Sequence, residues 1–205
     1  MIAARALLAC TLACAACATT PTVRFGPATR SYEPRDFRAV RDRWTRQVHV
    51  RTDFDVALDA HATLFSSDFR AALVPKLAEA RRLTELERAT LADANRRDDE
   101  AFVEFLVLAE TGHWEWNDLG THRTLWTITL VDDRGRQWGP PEVLPEHTKV
   151  AELNALYLGI TPFTRAWRVR FPRTNGLADA GTRWLELRIA GPLGDTGTAL
   201  RWTAR

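Results

Sequence analysis

Beyond position 17 this sequence of 205 residues contains no cysteine. The three thiols, Cys10, Cys14 and Cys17, all fall within MIAARALLACTLACAACATTPT. A disulfide framework is therefore excluded from the 188 residues that follow, which must be stabilised by packing alone. A long hydrophobic run is also missing. The apolar stretch from Ala6 to Ala16 is interrupted only by Thr11, and it falls well short of the roughly 20 residues that span a bilayer. Charge of one sign is missing too. Arg5 is the only charged residue before position 18, so the 28 basic and 26 acidic residues become 27 and 26 beyond it. That balance lacks the basic excess of a nucleic-acid-binding surface and excludes nucleic acid as a partner. There is no G-x-S-x-G, no glycine-rich phosphate loop and no dinucleotide fingerprint. Catalysis would need residues assembled from distant positions.

What is present begins with a single positive charge and about eleven mostly apolar residues, the proportions of a secretory signal. The cysteines then matter. Cys14-Ala15-Ala16-Cys17 places small residues before a thiol at a natural signal length, with Cys14 where leucine is usual. Thr11-Leu12-Ala13-Cys14 has an off-pattern threonine, and Leu7-Leu8-Ala9-Cys10 leaves too short an apolar run. This arrangement resembles the lipobox of bacterial lipoproteins, with Cys17 as the modified residue and Cys14 as the alternative. The resemblance implies a diacylglyceryl thioether, cleavage before the cysteine and acylation of the new amine. No cofactor beyond that covalent lipid is implied. Two or more acyl chains give stable membrane attachment where one does not, each buried methylene contributing about 0.8 kcal/mol. Ala18 stands where aspartate favours inner-membrane retention in enteric bacteria, which points to the outer membrane, facing the periplasm or exterior.

Three regions follow: a signal peptide over 1–17, a tether over 18–40 and a domain over 41–205. The tether, ATTPTVRFGPATRSYEPR and a few residues more, is rich in proline and hydroxyls. Extended at about 3.1 Å per residue, some 14 residues would reach on the order of 40 Å. Phe25, Tyr32 and Phe37 are the side chains able to dock onto the domain.

Within the domain, FDVALDAHATLF alternates from Phe54 to Leu64 as a half-buried strand does. The period then changes. Ser66 reads as a helix cap, Pro75 as a kink or break, and Thr84-Glu85-Leu86-Glu87 as a capping box that opens a second helix over 85–97. AFVEFLVLAE (101–110) is apolar on both faces, as a central strand is. TLWTITLVDDRGRQW reads as a hairpin turning at Asp133-Arg134-Gly135, and RAWRVRF and WLELRIAG alternate cleanly. The expected fold is mainly β: an antiparallel sandwich, immunoglobulin-like in outline, with an inserted helical pair at about 66–98. No cysteine pair supports a true immunoglobulin domain. The general plan resembles uncharacterised envelope lipoproteins.

Four groups of residues are candidates for function. His113, Glu115, Asp118 and His122 gather in TGHWEWNDLGTH, while Asp55, Asp59 and His61 share one strand's polar face. Imidazole and carboxylate ligands suit zinc or another first-row metal, and the His113–His122 region would then serve a metal-dependent envelope hydrolase. Exposed polar faces explain the same residues without a metal. Trp114 and Trp116, two apart, would present both rings on one face of a strand and could stack on sugars. Trp126 and Trp167 are expected in the core, with Trp44, Trp184 and Trp202 at its edges. Arg168 and Arg170 project from their strand, with Arg188 from the next. Their forks match phosphate or carboxylate, although Glu186 could pair with Arg188 within the sheet. The balance of these signals points to a lipid-anchored envelope protein whose domain binds an envelope protein or polymer, or is structural, without catalysis.

Overall fold

The computed structural model describes residues 20–52, 55–174 and 176–205. The three cysteines, Ala18 and Phe54, to which the sequence reading assigns the anchor and the start of a strand, lie outside the described residues. In chain order the helices are α1 (Phe37–Trp44), α2 (Ser67–Arg81), α3 (Glu85–Ala101) and α4 (Val150–Leu156). The strands are β1 (Thr45–Arg51), β2 (Val56–Leu64), β3 (Phe102–Glu110), β4 (Thr127–Asp132), β5 (Gln137–Trp138), β6 (Glu142–Pro145), β7 (Arg165–Pro172), β8 (Trp184–Gly191), β9 (Gly194–Asp195) and β10 (Arg201–Thr203). No helix among the described residues is long and apolar enough to cross a membrane.

The protein is mainly β, as the alternating patterns require. One antiparallel sheet runs β1-β2-β3-β7-β6, and a second runs β10-β8-β4-β5 with β9 added beside β8. β3 is the middle strand of the first sheet and is buried from Val103 to Ala109, which explains its unbroken apolar run. The expected hairpin turns where Gly135 N–H donates to the Asp132 carbonyl, pairing Leu130 with Trp138. Leu185, Leu187 and Ile189 of β8 point inward and are fully buried. The sheets share one hydrophobic core. Phe105 of β3 meets Trp202 of β10 across it, with ring centroids 5.2 Å apart.

The tryptophans are distributed differently from expectation. Trp126 and Trp167 are in the core, but so are Trp44 and Trp202, both without solvent exposure. The Trp202 indole donates to the Trp44 carbonyl at 2.8 Å, so these two rings form the centre of the core rather than its edge. Trp184 is half-buried beneath Arg201.

The helical insertion forms where the caps place it. Ser66 Oγ accepts from Phe69 N–H, and Thr84 and Glu87 exchange the two bonds of a capping box. Pro75, however, neither ends nor divides α2. An interior proline costs roughly 3 kcal/mol, and burial of Leu73, Val74 and Leu77 on both sides of it outweighs that cost. α3 continues four residues beyond the expected end at 97.

The tether reading needs a larger correction. Val23 forms a parallel bridge with Ala204, and its N–H donates to the Thr203 carbonyl at 2.9 Å. Phe25 meets Trp44 edge-on, and Phe37 packs on Phe69. The Tyr32 hydroxyl and the Thr29 N–H both donate to Asp68 Oδ1 of α2, at 2.9 and 3.0 Å. Burial raises the Tyr32 pKa, and the Asp68 carboxylate raises it further. The domain thus begins at about Val23, not at 41. Each of these large side chains gains about 1.5–3 kcal/mol by burial, enough to order the proline-rich segment between them.

Arginine dominates the cationic residues, since only Lys76 and Lys149 are lysines. Arg46 shows why the distinction matters. It is buried and donates to the carbonyls of Pro21, Arg43, Thr45 and Arg201 at 2.7–2.8 Å. Burial brings its pKa down to about 10, so it stays charged at neutral pH. A planar fork can serve four carbonyls at once, whereas an ammonium offers three donors from one point.

A candidate ligand cleft between Trp114 and Phe163

At one end of the first sheet, three adjacent strands place polar side chains next to one another. The register pairs Asp59 of β2 with Glu110 of β3, and Ala109 of β3 with Arg165 of β7. The loop before β2 adds Asp55. A short 3-10 turn, Trp114–Trp116, follows β3, and Pro162-Phe163-Thr164 leads into β7. Together these segments line an open cleft of about 660 Å³.

The floor is locked from behind. Buried Asn117 donates from Nδ2 to the Ala109 carbonyl at 2.6 Å and accepts the Trp167 indole N–H at 3.1 Å. Arg165 donates to the Asn117 carbonyl at 2.9 Å and holds its guanidinium 5.8 Å from the Trp114 ring centre. Trp114 is nevertheless 70% exposed and Phe163 76%. The cleft therefore has two aromatic side chains in solvent at its rim.

The carboxylates are only partly used. Asp55 Oδ1 accepts from Val56 N–H at 2.7 Å, and Oδ2 lies 3.5 Å from His113 Nε2. Asp59 Oδ2 pairs with His49 Nδ1 at 2.9 Å, while Oδ1 is buried and meets no hydrogen-bond partner among the described residues. Glu110 Oε2 accepts from the Thr161 hydroxyl at 2.6 Å. Three carboxylates against one guanidinium make the cleft acidic. His61, one strand position past Ala60, is half-buried, and burial lowers its pKa despite neighbouring Asp59. Gly159 packs directly on its ring, so closely that a Cβ there would sit 2.2 Å from His61 Cδ2.

Several expectations change here. Trp114 and Trp116 lie on a 3-10 turn, not a strand, and at about three residues per turn two positions apart do not share a face. Trp116 turns away, half-buried, to pack on the His113 ring at 4.2 Å. Phe163 replaces it as the partner of Trp114. No periodicity marked Phe163, because it lies in a loop; its only signal was an aromatic residue following proline between two turns.

The proposed metal ligands do not converge. His113 faces Asp55, Glu115 is exposed, and His122 lines a different cleft beside Gly139 and Pro140. Among the described residues no three His, Cys, Asp or Glu side chains gather closely enough to hold a metal ion, the Asp55, Asp59 and His61 set included.

The arginine reading also changes. Arg168 and Arg170 are not free to meet an external anion, because Glu104 of β3 lies fully buried between them. Glu104 binds Arg70 at 2.5 Å, Arg168 at 2.6 Å and Arg170 at 3.3 Å, and Arg168 also holds Glu146. Burial alone would raise the Glu104 pKa, but the Arg70 and Arg168 charges and hydrogen bonds outweigh it and hold the carboxyl below its usual range. Arg188 belongs to the other sheet, where it pairs with buried Glu186.

Comparison with known proteins places no relative beside these residues: no family model matches the chain, nor does any curated protein or any solved structure.

Proposed function

We propose that this protein is a lipid-anchored component of the cell envelope, attached through Cys17 or Cys14, whose immunoglobulin-like sandwich binds a saccharide without transforming it. The observation that carries the ligand reading is the exposure of Trp114 and Phe163 on one acidic cleft. Aromatic faces pack against the C–H faces of sugar rings, and carboxylates accept hydrogen bonds from hydroxyls. Glu110, which spends one oxygen on the Thr161 hydroxyl and faces the cleft, is one such acceptor. An excess of carboxylates disfavours phosphorylated glycans and favours neutral or amino-bearing ones, such as the amino-sugar polymers of an envelope. The immunoglobulin-like reading is supported by two antiparallel sheets sharing one core. Attachment to the outer membrane is supported by the sequence around Cys17.

Titration of the protein with soluble N-acetylglucosamine oligomers, followed by tryptophan fluorescence, tests the ligand. Saturable binding that Trp114→Ala weakens about tenfold and Trp116→Ala leaves in place is the expected result. Failure of neutral, amino-bearing and peptidoglycan-derived oligomers alike would remove the saccharide reading. Mass spectrometry of the N-terminal peptide from host membranes tests the anchor. An acylated peptide starting at Cys17 or Cys14 is expected, and an unmodified peptide in the soluble fraction would overturn it.

A further inference from the structure

We infer that the face around Pro21, Arg24 and Arg43 rests on the anionic headgroup surface of the anchoring membrane, which leaves the Trp114–Phe163 cleft at the far end of the first sheet. This inference rests on the lipid-anchor reading and adds an orientation and a second contact to it.

The first argument is length. Arg46, buried in the domain, holds the Pro21 carbonyl at 2.8 Å, and Val23 is bridged to Ala204. Three residues separate Cys17 from Pro21. Whatever path they take, four steps of chain span at most about 14 Å, and seven steps from Cys14 about 25 Å. A domain of this size has a radius of gyration of about 16 Å. The clamp at Pro21 is therefore too close to the lipid for the domain to stand clear of the surface. The 40 Å tether that composition suggested is spent on docking Phe25, Tyr32 and Phe37.

The second argument is charge. Arg24 and Arg43 are exposed, and among the described residues neither meets a carboxylate within ion-pair distance. The Arg43 carbonyl shares the Arg46 guanidinium with Pro21, which places both at the point of attachment. Arg205, also exposed, donates to the Thr22 hydroxyl. Two side-chain acids nearby are already paired: Asp42 binds Arg41, and Asp133 binds Arg183. Each arginine near an anionic surface strengthens association by about fivefold.

The third argument is direction. Antiparallel pairing sets Thr45 opposite Thr63 beside the Arg46 clamp, and Arg51 opposite Val56 beside the cleft. Six residues of strand separate the two ends, about 20 Å. The strands that begin at the anchor thus lead to the cleft.

The test is amide hydrogen exchange on the acylated full-length protein in vesicles of phosphatidylethanolamine with phosphatidylglycerol. Slowed exchange at residues 22–24 and 42–46, relative to phosphatidylcholine vesicles, is expected, with none around Trp114 and Phe163. The double variant Arg24→Glu, Arg43→Glu should erase that protection without changing the melting temperature, because both side chains are exposed. Acylated, membrane-bound protein with no difference between the two lipids would overturn the seating while leaving the anchor standing. Unacylated protein in the soluble fraction would overturn both.

Discussion

Glu104 and Glu110 lie six residues apart on the same strand, and their surroundings differ in a way that separates structure from function. Glu104 is the third residue of β3, the middle strand of its sheet, and is fully buried with three arginines converging on it. Glu110 ends the strand, half-buried, with a single threonine hydroxyl as its partner among the described residues and an open cleft in front of it. The first carboxylate is consumed by the fold. The second keeps acceptor capacity that a ligand could use. Alternation along β3 puts both on one face, and only position along the strand decides between them: near its start helix α2 and strand β7 supply cations, and at its end the neighbours have given way to loops.

The largest effect should come from breaking the closed site. Glu104→Ala leaves Arg70, Arg168 and Arg170 without their shared counter-charge, and urea denaturation should show a loss of about 3–5 kcal/mol. Next is Gly159→Ala, at a φ of +76° and against the His61 ring. The left-handed backbone costs a side chain about 1–2 kcal/mol, and the steric contact adds to it. Thermal melting should show the decrease, and the double variant with His61→Ala should recover only the steric part.

Changes to the open site should leave the fold alone. Trp114→Ala and Phe163→Ala should each stay within about 0.5 kcal/mol of the parent stability while weakening saccharide binding about tenfold, an aromatic contact of about 1.4 kcal/mol. If either destabilises as Glu104→Ala does, the contrast between the two regions fails.

The smallest effect is on pH dependence, and it has the same sign but a different window at Glu104 and at His61. The depressed Glu104 carboxyl contributes stability that is present above its unfolded pKa of about 4.3 and is lost as pH falls through the lower folded value. His61 is also depressed, so the unfolded chain takes up its proton first. Stability should begin to fall as pH drops through about 6.5, and the decline should level off below the folded pKa. Chemical denaturation between pH 7 and 5 should show a slope that His61→Gln removes and Glu104→Gln does not.

Much of the fold was legible because local physics decided it. Period-two alternation in β2, β7 and β8, the apolar β3 and the Ser66 and Thr84 caps needed no tertiary information. The failures share a cause. Whether Pro75 would divide α2, whether residues 23–40 would dock and whether Trp44 and Trp202 would be central all depend on surfaces contributed by remote segments. The candidate site was half legible. Trp114, Asp55 and Asp59 stood out, but their grouping did not. Trp114 was paired with Trp116 by spacing, and in the fold it shares its cleft with Phe163, 49 positions away.

By itself the sequence determined the mainly β character, the position and capping of the helical pair, the near-balance of charge and the thiol-free body of the chain. These follow from composition and from contacts a few residues long, where backbone geometry admits few alternatives. Only the tertiary structure decided that Arg168 and Arg170 are spent on Glu104, that His113, Glu115 and His122 do not converge, and that an acidic cleft opens between Trp114 and Phe163. Such outcomes depend on strand register and loop placement, which bring together residues whose separation along the chain carries no signal.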